Sequence, residues 1–287
     1  MGKRTIFSAM ILALALCFLV AGPVSAEKKK VEIAYVEWSS EVASNNLLKF
    51  VIEEKMGYKC ELTPVAVGPM YAAVGAGDVD GMIASWQPLQ EANLNKVKDK
   101  VEDLGPNMVG VASGLVVPDY VTINSIEEMN ANADKFDGKI IGIDPGAGIM
   151  QKSELVISEK GYGLSKFKLM ESTGAMMVAE LKEGIRQKKW VVVTGWTPHW
   201  KWGVWKLKYL KDPKNIYGKP EDGSIRTLVR KGLKKDMPDI YKFLDNFNWS
   251  ADDMAVMLVW IKDGMKPADA AKKWAGENAV KVDGWLK

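Results

Sequence analysis

Lys139-Ile140-Ile141-Gly142-Ile143-Asp144-Pro145-Gly146-Ala147-Gly148-Ile149-Met150 decides how the rest of this chain is read. Residues 140–143 are a short, largely apolar run, the pattern of a buried strand. Asp144 to Gly148 is turn chemistry, and from Ile149 the spacing of Ile149, Ser153, Val156 and Ile157 is helical. A strand passing through a glycine-rich turn into a helix aims several unpaired backbone N–H groups at one small space. Aided by the helix dipole, they attract a carboxylate, phosphate or sulfate. The turn lacks the lysine and spacing of a phosphate loop, and it is not Gly-x-Gly-x-x-Gly. Taken alone, the stretch suits an anion site and an ordinary tight turn equally, and its surroundings have to decide.

Working outward, the same order of elements occurs twice. In the first half, residues 31–36 read as a strand and 41–55 as a helix. Val42, Leu47, Leu48, Val51 and Ile52 form its buried face, and Gly57 is its C-cap. A strand (61–67), a short helix (69–76) and a third strand (80–85) follow, running into Trp86-Gln87-Pro88. From Lys139 the series repeats as strand (139–143), helix (151–160), strand (168–171), helix (175–187) and strand (191–194), running into Gly195-Trp196-Thr197-Pro198. Trp86 and Trp196 lie 110 positions apart, and the opening strands at Val31 and Ile140 lie 109 apart. The expectation is an α/β protein of two similar lobes. Residues 114–118 read as a strand leaving the first lobe and 224–229 as one returning, so residues 27–113 and 225–287 form lobe one and 114–224 form lobe two. Two crossings make a hinge with a cleft between the lobes, where α/β strands end and ligands bind. The C-terminal part is helical, with Pro238 and Pro267 in first turns and Ser250 capping a helix that carries Asp253 at N3.

Composition narrows the function. Lys3 and Arg4, an apolar stretch over residues 6–20 and Val24-Ser25-Ala26 make residues 1–26 an expected cleavable signal peptide, leaving a mature chain of 261 residues exported in soluble form to the periplasm. Its removal takes the formal charge from +3 to about +1, which argues against nucleic acid as a partner. No later apolar run approaches the ~20 residues needed to span a bilayer. Cys60 is the only cysteine after Ala26, so no internal disulfide can form. His199 is the only histidine, so zinc sites of the usual kind are excluded by ligand count, and no metal or other cofactor is expected.

Among the 11 tryptophans, Trp38, Trp86 and Trp196 stand at strand ends, where they border the expected cleft together with the turn at residues 146–149. Tryptophan faces suit an organic cation, above all a quaternary ammonium, which has no N–H to donate and is held by ring quadrupoles and van der Waals contact. Each face contributes roughly 0.5–2 kcal/mol, so three approach half of the ~8 kcal/mol of micromolar binding. An aromatic cage beside an anion-binding turn describes a small zwitterion; tryptophans that merely cap the core are the competing reading.

Residues 34–41 (Ala-Tyr-Val-Glu-Trp-Ser-Ser-Glu), 84–86 (Ala-Ser-Trp), 142–150 (Gly-Ile-Asp-Pro-Gly-Ala-Gly-Ile-Met) and 194–200 (Thr-Gly-Trp-Thr-Pro-His-Trp), with Leu207-Lys208-Tyr209-Leu210 and Asp212-Pro213, resemble the glycine betaine-binding proteins of ABC osmoprotectant importers. The resemblance covers the whole mature chain. It implies a bilobed, type II-like periplasmic binding-protein fold that closes on its ligand. By position, Trp38, Trp86 and Trp196 would cage the trimethylammonium, and the backbone N–H groups of Gly148 and Ile149 would hold the carboxylate. It also implies a monomer that hands its ligand to the permease subunits and their ATPase. One position departs from the pattern: where related proteins can carry a carboxylate-binding histidine, five residues after the second cage tryptophan, this chain has Glu91. An ionised Glu91 in the site would repel a carboxylate and favour choline, whose hydroxyl it could accept; carnitine and proline betaine are further alternatives.

The other candidates weigh less. His199 is more in keeping with a structural residue than a ligand contact. Trp200, Trp202 and Trp205 are expected to pack onto their lobe rather than face a partner, and Trp190, Trp249, Trp260, Trp274 and Trp285 to cover the core. Glu37 and Glu41 flank Trp38 and could orient the cage, although helix N-terminal charge accounts adequately for Glu41. Asp144 is expected to accept N–H bonds within its turn. No nucleophile, base and orienter can be assembled, which speaks against the rival reading of an enzyme acting on quaternary amines.

Overall fold

Two five-stranded sheets of the same design organise residues 30–287, the part of the chain that the computed structural model describes. The expected signal peptide lies outside the described residues. The first sheet contains β1 (Lys30–Tyr35), β2 (Lys59–Pro64), β3 (Gly81–Gln87), β4 (Val101–Val109) and β10 (Ser224–Arg230), in the order β2-β1-β3-β10-β4. The second contains β5 (Ala112–Pro118), β6 (Lys139–Ile141), β7 (Lys168–Met170), β8 (Val193–Thr197) and β9 (Leu207–Tyr209), in the order β7-β6-β8-β5-β9. In each, three parallel strands come first and an antiparallel strand follows, β10 against β3 and β5 against β8. The repeat read from the sequence is therefore a repeat of topology.

The parallel strands are joined by helices: α1 (Ser39–Phe50), α2 (Val67–Ala76) and α3 (Glu91–Val97) in the first half, α4 (Gly148–Ile157), α5 (Gly174–Arg186) and α6 (Lys201–Val204) in the second. α1 continues into one widened π-helical turn, Val51–Lys55, and Gly57 ends the run at φ +76°, a conformation open to glycine because it has no Cβ. Its inward face carries Leu47, Leu48, Val51 and Ile52, all fully buried, whereas Val42 is only half-buried. The C-terminal helices are α7 (Leu233–Asp236), α8 (Pro238–Asn246), α9 (Ala251–Lys262), α10 (Pro267–Glu277) and α11 (Ala279–Trp285). α9 and α10 pack against α1. The Ser250 hydroxyl accepts the Asp253 N–H (3.1 Å) while the Asp253 carboxylate accepts the Ser250 N–H (2.8 Å), a complete capping box. No described helix is long and apolar enough to cross a membrane.

Three differences from the sequence reading matter. β4 is an additional edge strand; Gly105 at φ +99° and Pro106 interrupt its pattern, and its pairing with β10 shifts register there. β5 starts at Ala112 and belongs to the second sheet, so the first crossing falls at Gly110–Val111, slightly ahead of the expected boundary. The two crossings touch: the N–H groups of Gly110 (2.9 Å) and Val111 (3.4 Å) both donate to the Gly223 carbonyl. A Cβ on Gly223 would stand 2.0 Å from the Val111 carbonyl oxygen, so only glycine fits.

Most of the remaining tryptophans are packing residues. Trp274 stacks on Trp285 at 6.0 Å between centroids, and Trp249 meets Trp274 edge-on at 5.6 Å. Trp202 lies on Tyr209 at 4.7 Å, Trp200 on Trp205 at 5.6 Å, and Trp190 against Phe136 at 5.1 Å.

Candidate functional site: a tryptophan cage beside a helix N-terminus

Trp86 and Trp196 are the penultimate residues of β3 and β8, one position inside the strands rather than beyond them. Each precedes a cis-proline peptide, Gln87–Pro88 and Thr197–Pro198. Trp38 follows β1 and is the N-cap residue of α1, with extended backbone. All three are buried, with 7%, 4% and 5% of their surface exposed. The three indoles line one pocket, joined by Gly148 and Ile149 from the start of α4. Leu89, Ile143, Gln90 and Ser113 complete the wall. Trp38 and Trp196, one beside each sheet, approach to 6.3 Å between ring centroids at 48°.

Hydrogen bonds fix each ring differently. The Trp38 Nε1–H donates to Asp144 Oδ2 (3.1 Å), bridging from the first sheet to the turn after β6. Asp144 thus bonds across the cleft; within its own turn the bond is made by its backbone carbonyl, which accepts the Ala147 N–H (3.2 Å). The Trp86 Nε1–H donates to Glu41 Oε1 (2.8 Å). Glu41 is fully buried beside the cage, and so it is more than a solvated charge at a helix start. Trp196 Nε1 is buried without a partner among the described residues. Behind that ring lies Lys201, also fully buried, with Nζ 4.6 Å from the Trp196 centroid and 3.4 Å from its carbonyl oxygen. Burial holds the Lys201 amine well below the usual lysine range.

At the other end of the pocket, Gly148 and Ile149 are the first two residues of α4, where helical geometry leaves the N–H without an intrahelical acceptor. Ala147, the N-cap, has no side-chain oxygen to satisfy them. A Cβ on Gly148 would lie 2.5 Å from the Leu89 carbonyl oxygen, so glycine is what lets the helix start approach the segment after β3. The pocket therefore offers three aromatic faces, two free N–H groups in the positive field of a helix start, and little else that is polar.

The structure brings Trp38, Trp86, Trp196, Gly148 and Ile149 together. Glu91 is exposed at the first position of α3 and does not line the pocket; its neighbour Gln90 does. The Gln90 Oε1 accepts the Trp86 N–H and the Tyr71 hydroxyl, both at 3.0 Å. His199 also stays outside the lining: it meets Trp196 edge-on at 5.0 Å, and its Nδ1 accepts the Lys201 N–H (3.1 Å). Burial, then the Lys201 charge, keep this imidazole neutral well below the ordinary histidine range. Sequence reasoning missed Gln90, Leu89, Ser113 and Ile143 as lining residues. Only Gln90, four residues after a cage tryptophan, left a usable signal.

Residues 29–277 match the family described as the substrate binding domain of the ABC-type glycine betaine transport system. The chain belongs to this family. Among solved structures, lactococcal OpuAC in its closed-liganded conformation with glycine betaine is 40% identical at a TM-score of 0.86, covering 91% of this chain and 100% of that one. A glycine betaine, L-proline-binding protein (ProX) from Borrelia burgdorferi is 37% identical at 0.85, covering 90% and 97%. A choline-binding protein in complex with choline is 25% identical at 0.85, covering 90% and 91%. The glycine betaine/carnitine transport binding protein GbuC of Listeria monocytogenes is 45% identical over 146 residues, 51% of this chain and 48% of that protein. The chain thus spans about half the length of the curated relative it matches. These family members share the bilobed binding-protein fold.

Proposed function

We propose that this chain is a periplasmic binding protein that captures glycine betaine and delivers it to the permease and ATPase subunits of an ABC importer. The observation that carries this reading is the convergence of Trp38, Trp86 and Trp196 on one pocket that also contains the helix start at Gly148 and Ile149. The rings take the trimethylammonium, and the two N–H groups take the carboxylate. Choline would leave those N–H groups without an anion, and with Glu91 exposed no lining carboxylate meets its hydroxyl. The protein acts as a monomer and binds its ligand without altering it. The lobes expected at residues 27–113 with 225–287 and at 114–224 divide instead at the paired crossings at Gly110–Val111 and Gly223, about which they turn.

Titration of the chain from Glu27 onward with glycine betaine and then choline, by calorimetry with tryptophan fluorescence alongside, tests the reading. Saturable micromolar binding of betaine with a fluorescence change is expected. A response to choline alone would change the ligand, and silence with both would return the tryptophans to a packing role.

A further inference from the structure

Two of the cage indoles donate their N–H to a carboxylate, Trp86 to Glu41 and Trp38 to Asp144, whereas the third has no acceptor among the described residues. Asp144 is half in solvent, but Glu41 is wholly enclosed. Its Oε1 meets the Trp86 N–H, and its Oε2 is buried with no hydrogen-bond partner among the described residues. An unpaired carboxylate oxygen in a dry interior is a costly feature that an apolar side chain such as leucine would avoid. A negative charge hydrogen-bonded to an indole N–H pushes electron density onto the ring. It also places an anion at the edge of the ring whose face a cation would occupy.

We propose that Glu41 is a positioning residue of the cage whose carboxylate, acting through the Trp86 indole, makes the pocket discriminate a cationic headgroup from a neutral one of the same shape. This rests on the reading of the pocket as a quaternary ammonium site. Glu41 does not line the pocket, so a bound cation reaches it through the Trp86 ring and by charge attraction, not by a hydrogen bond. Burial pushes the Glu41 carboxyl up to about 7, offset in part by the Trp86 bond, so its charge is adjustable near neutrality. No charged group perturbs it: neither Glu32 of β1 and Glu61 of β2, nor Asp252, Asp253 and Lys262 of α9, nor Asp269, Lys272, Lys273 and Glu277 of α10 contributes to its shift. Within the cage, Lys201 and His199 face Trp196, not Trp86. A bound cation favours the ionised carboxylate, so binding releases a proton and weakens as pH falls below about 7.

The test compares glycine betaine with 3,3-dimethylbutanoate, its carbon isostere, which has the same shape and carboxylate but no positive charge. In Glu41→Gln, which keeps the hydrogen-bond acceptor and loses the charge, betaine affinity should fall on the order of ten-fold, with isostere affinity moving less than about two-fold. A matching second measurement needs no variant: in the wild type, betaine affinity should fall about five-fold between about pH 8 and pH 6 while isostere affinity stays flat. Equal losses for both ligands in Glu41→Gln mean a merely structural bond and overturn the proposal. So does a wild-type pH slope that persists unchanged in the variant, since the slope would then belong to Lys201. Absence of betaine binding by the wild type overturns the ammonium reading itself, a separate result from either of these.

Discussion

Gly148→Ala is the sharpest probe of the site, because it adds one methyl at a place where the geometry is explicit. The new Cβ would stand 2.5 Å from the Leu89 carbonyl oxygen and 2.7 Å from its carbon, both backbone atoms that have no rotamer to yield. Ordinary carbon–oxygen contact begins at about 3.3 Å, so the helix start and the Leu89 segment must part by about 0.8 Å. If the ligand stays with Trp38 and Trp86, a carboxylate held at about 2.9 Å then lies near 3.7 Å from the Gly148 and Ile149 N–H groups, beyond hydrogen-bond range. Each bond to a charged group is worth about 1.5–3 kcal/mol, so losing even one of the two should lower glycine betaine affinity at least about 10- to 150-fold. The fold itself should hold, since alanine favours a helix over glycine by about 1 kcal/mol. Gly174→Ala is the matched control: Gly174 also begins a helix, α5, and nothing lies within 4 Å of its added Cβ. Calorimetry on the two variants with thermal melts reads the difference. Gly148→Ala binding betaine within about two-fold of Gly174→Ala would refute the reasoning.

Trp196→Ala removes one of three faces and its van der Waals contact, so betaine affinity should fall by about 30-fold or more while far-ultraviolet dichroism stays native; unchanged affinity would sink the cage. Asp144→Asn replaces a charged acceptor of the Trp38 N–H by a neutral one, and a roughly five-fold loss is expected from titration, with no change if the bridge plays no part in holding the lobes together. Lys201 is depressed well below 10.5 by burial, so the unfolded chain binds more protons than the folded one between that depressed value and the ordinary one. Wild-type stability should therefore fall as pH falls through that window. Lys201→Met, of similar length and uncharged, should flatten that dependence and raise the melting temperature near neutrality; parallel pH profiles would count against it.

The strand, turn and helix at residues 139–150 were legible because each used local chemistry: an apolar run, Pro-Gly and Gly, then helical spacing. Trp38, Trp86 and Trp196 stood out because they interrupt local periodicity rather than obey it. What stayed hidden depends on contacts between distant segments. Glu41 obeys the rule for acids at helix starts, and nothing near it in sequence reveals that Trp86 will enclose it. Lys201 went unremarked in the sequence, yet it is buried with the Trp196 and Trp202 rings flanking its amine. β4 was lost because Gly105 and Pro106 break its alternation, while β10 on one side supplies the pairing that keeps it a strand.

The position of β10 bears on how this molecule comes to exist. It fills the gap between β3 and β4, with Ile225 opposite both Trp86 and Met108, although the entire second sheet separates it from them in sequence. The second sheet draws all its strands from one contiguous stretch and can assemble early. The first remains split, with the apolar edge of β3 open, until the chain has passed Arg230. Such long-range closure is slow, and an open edge invites pairing with the wrong chain, so the state with this edge open is the vulnerable intermediate during folding. A chain cut short before Ser224 would hold every residue that lines the pocket and still lack the strand that seats Trp86. A closed pocket therefore requires the chain to have been made past Arg230.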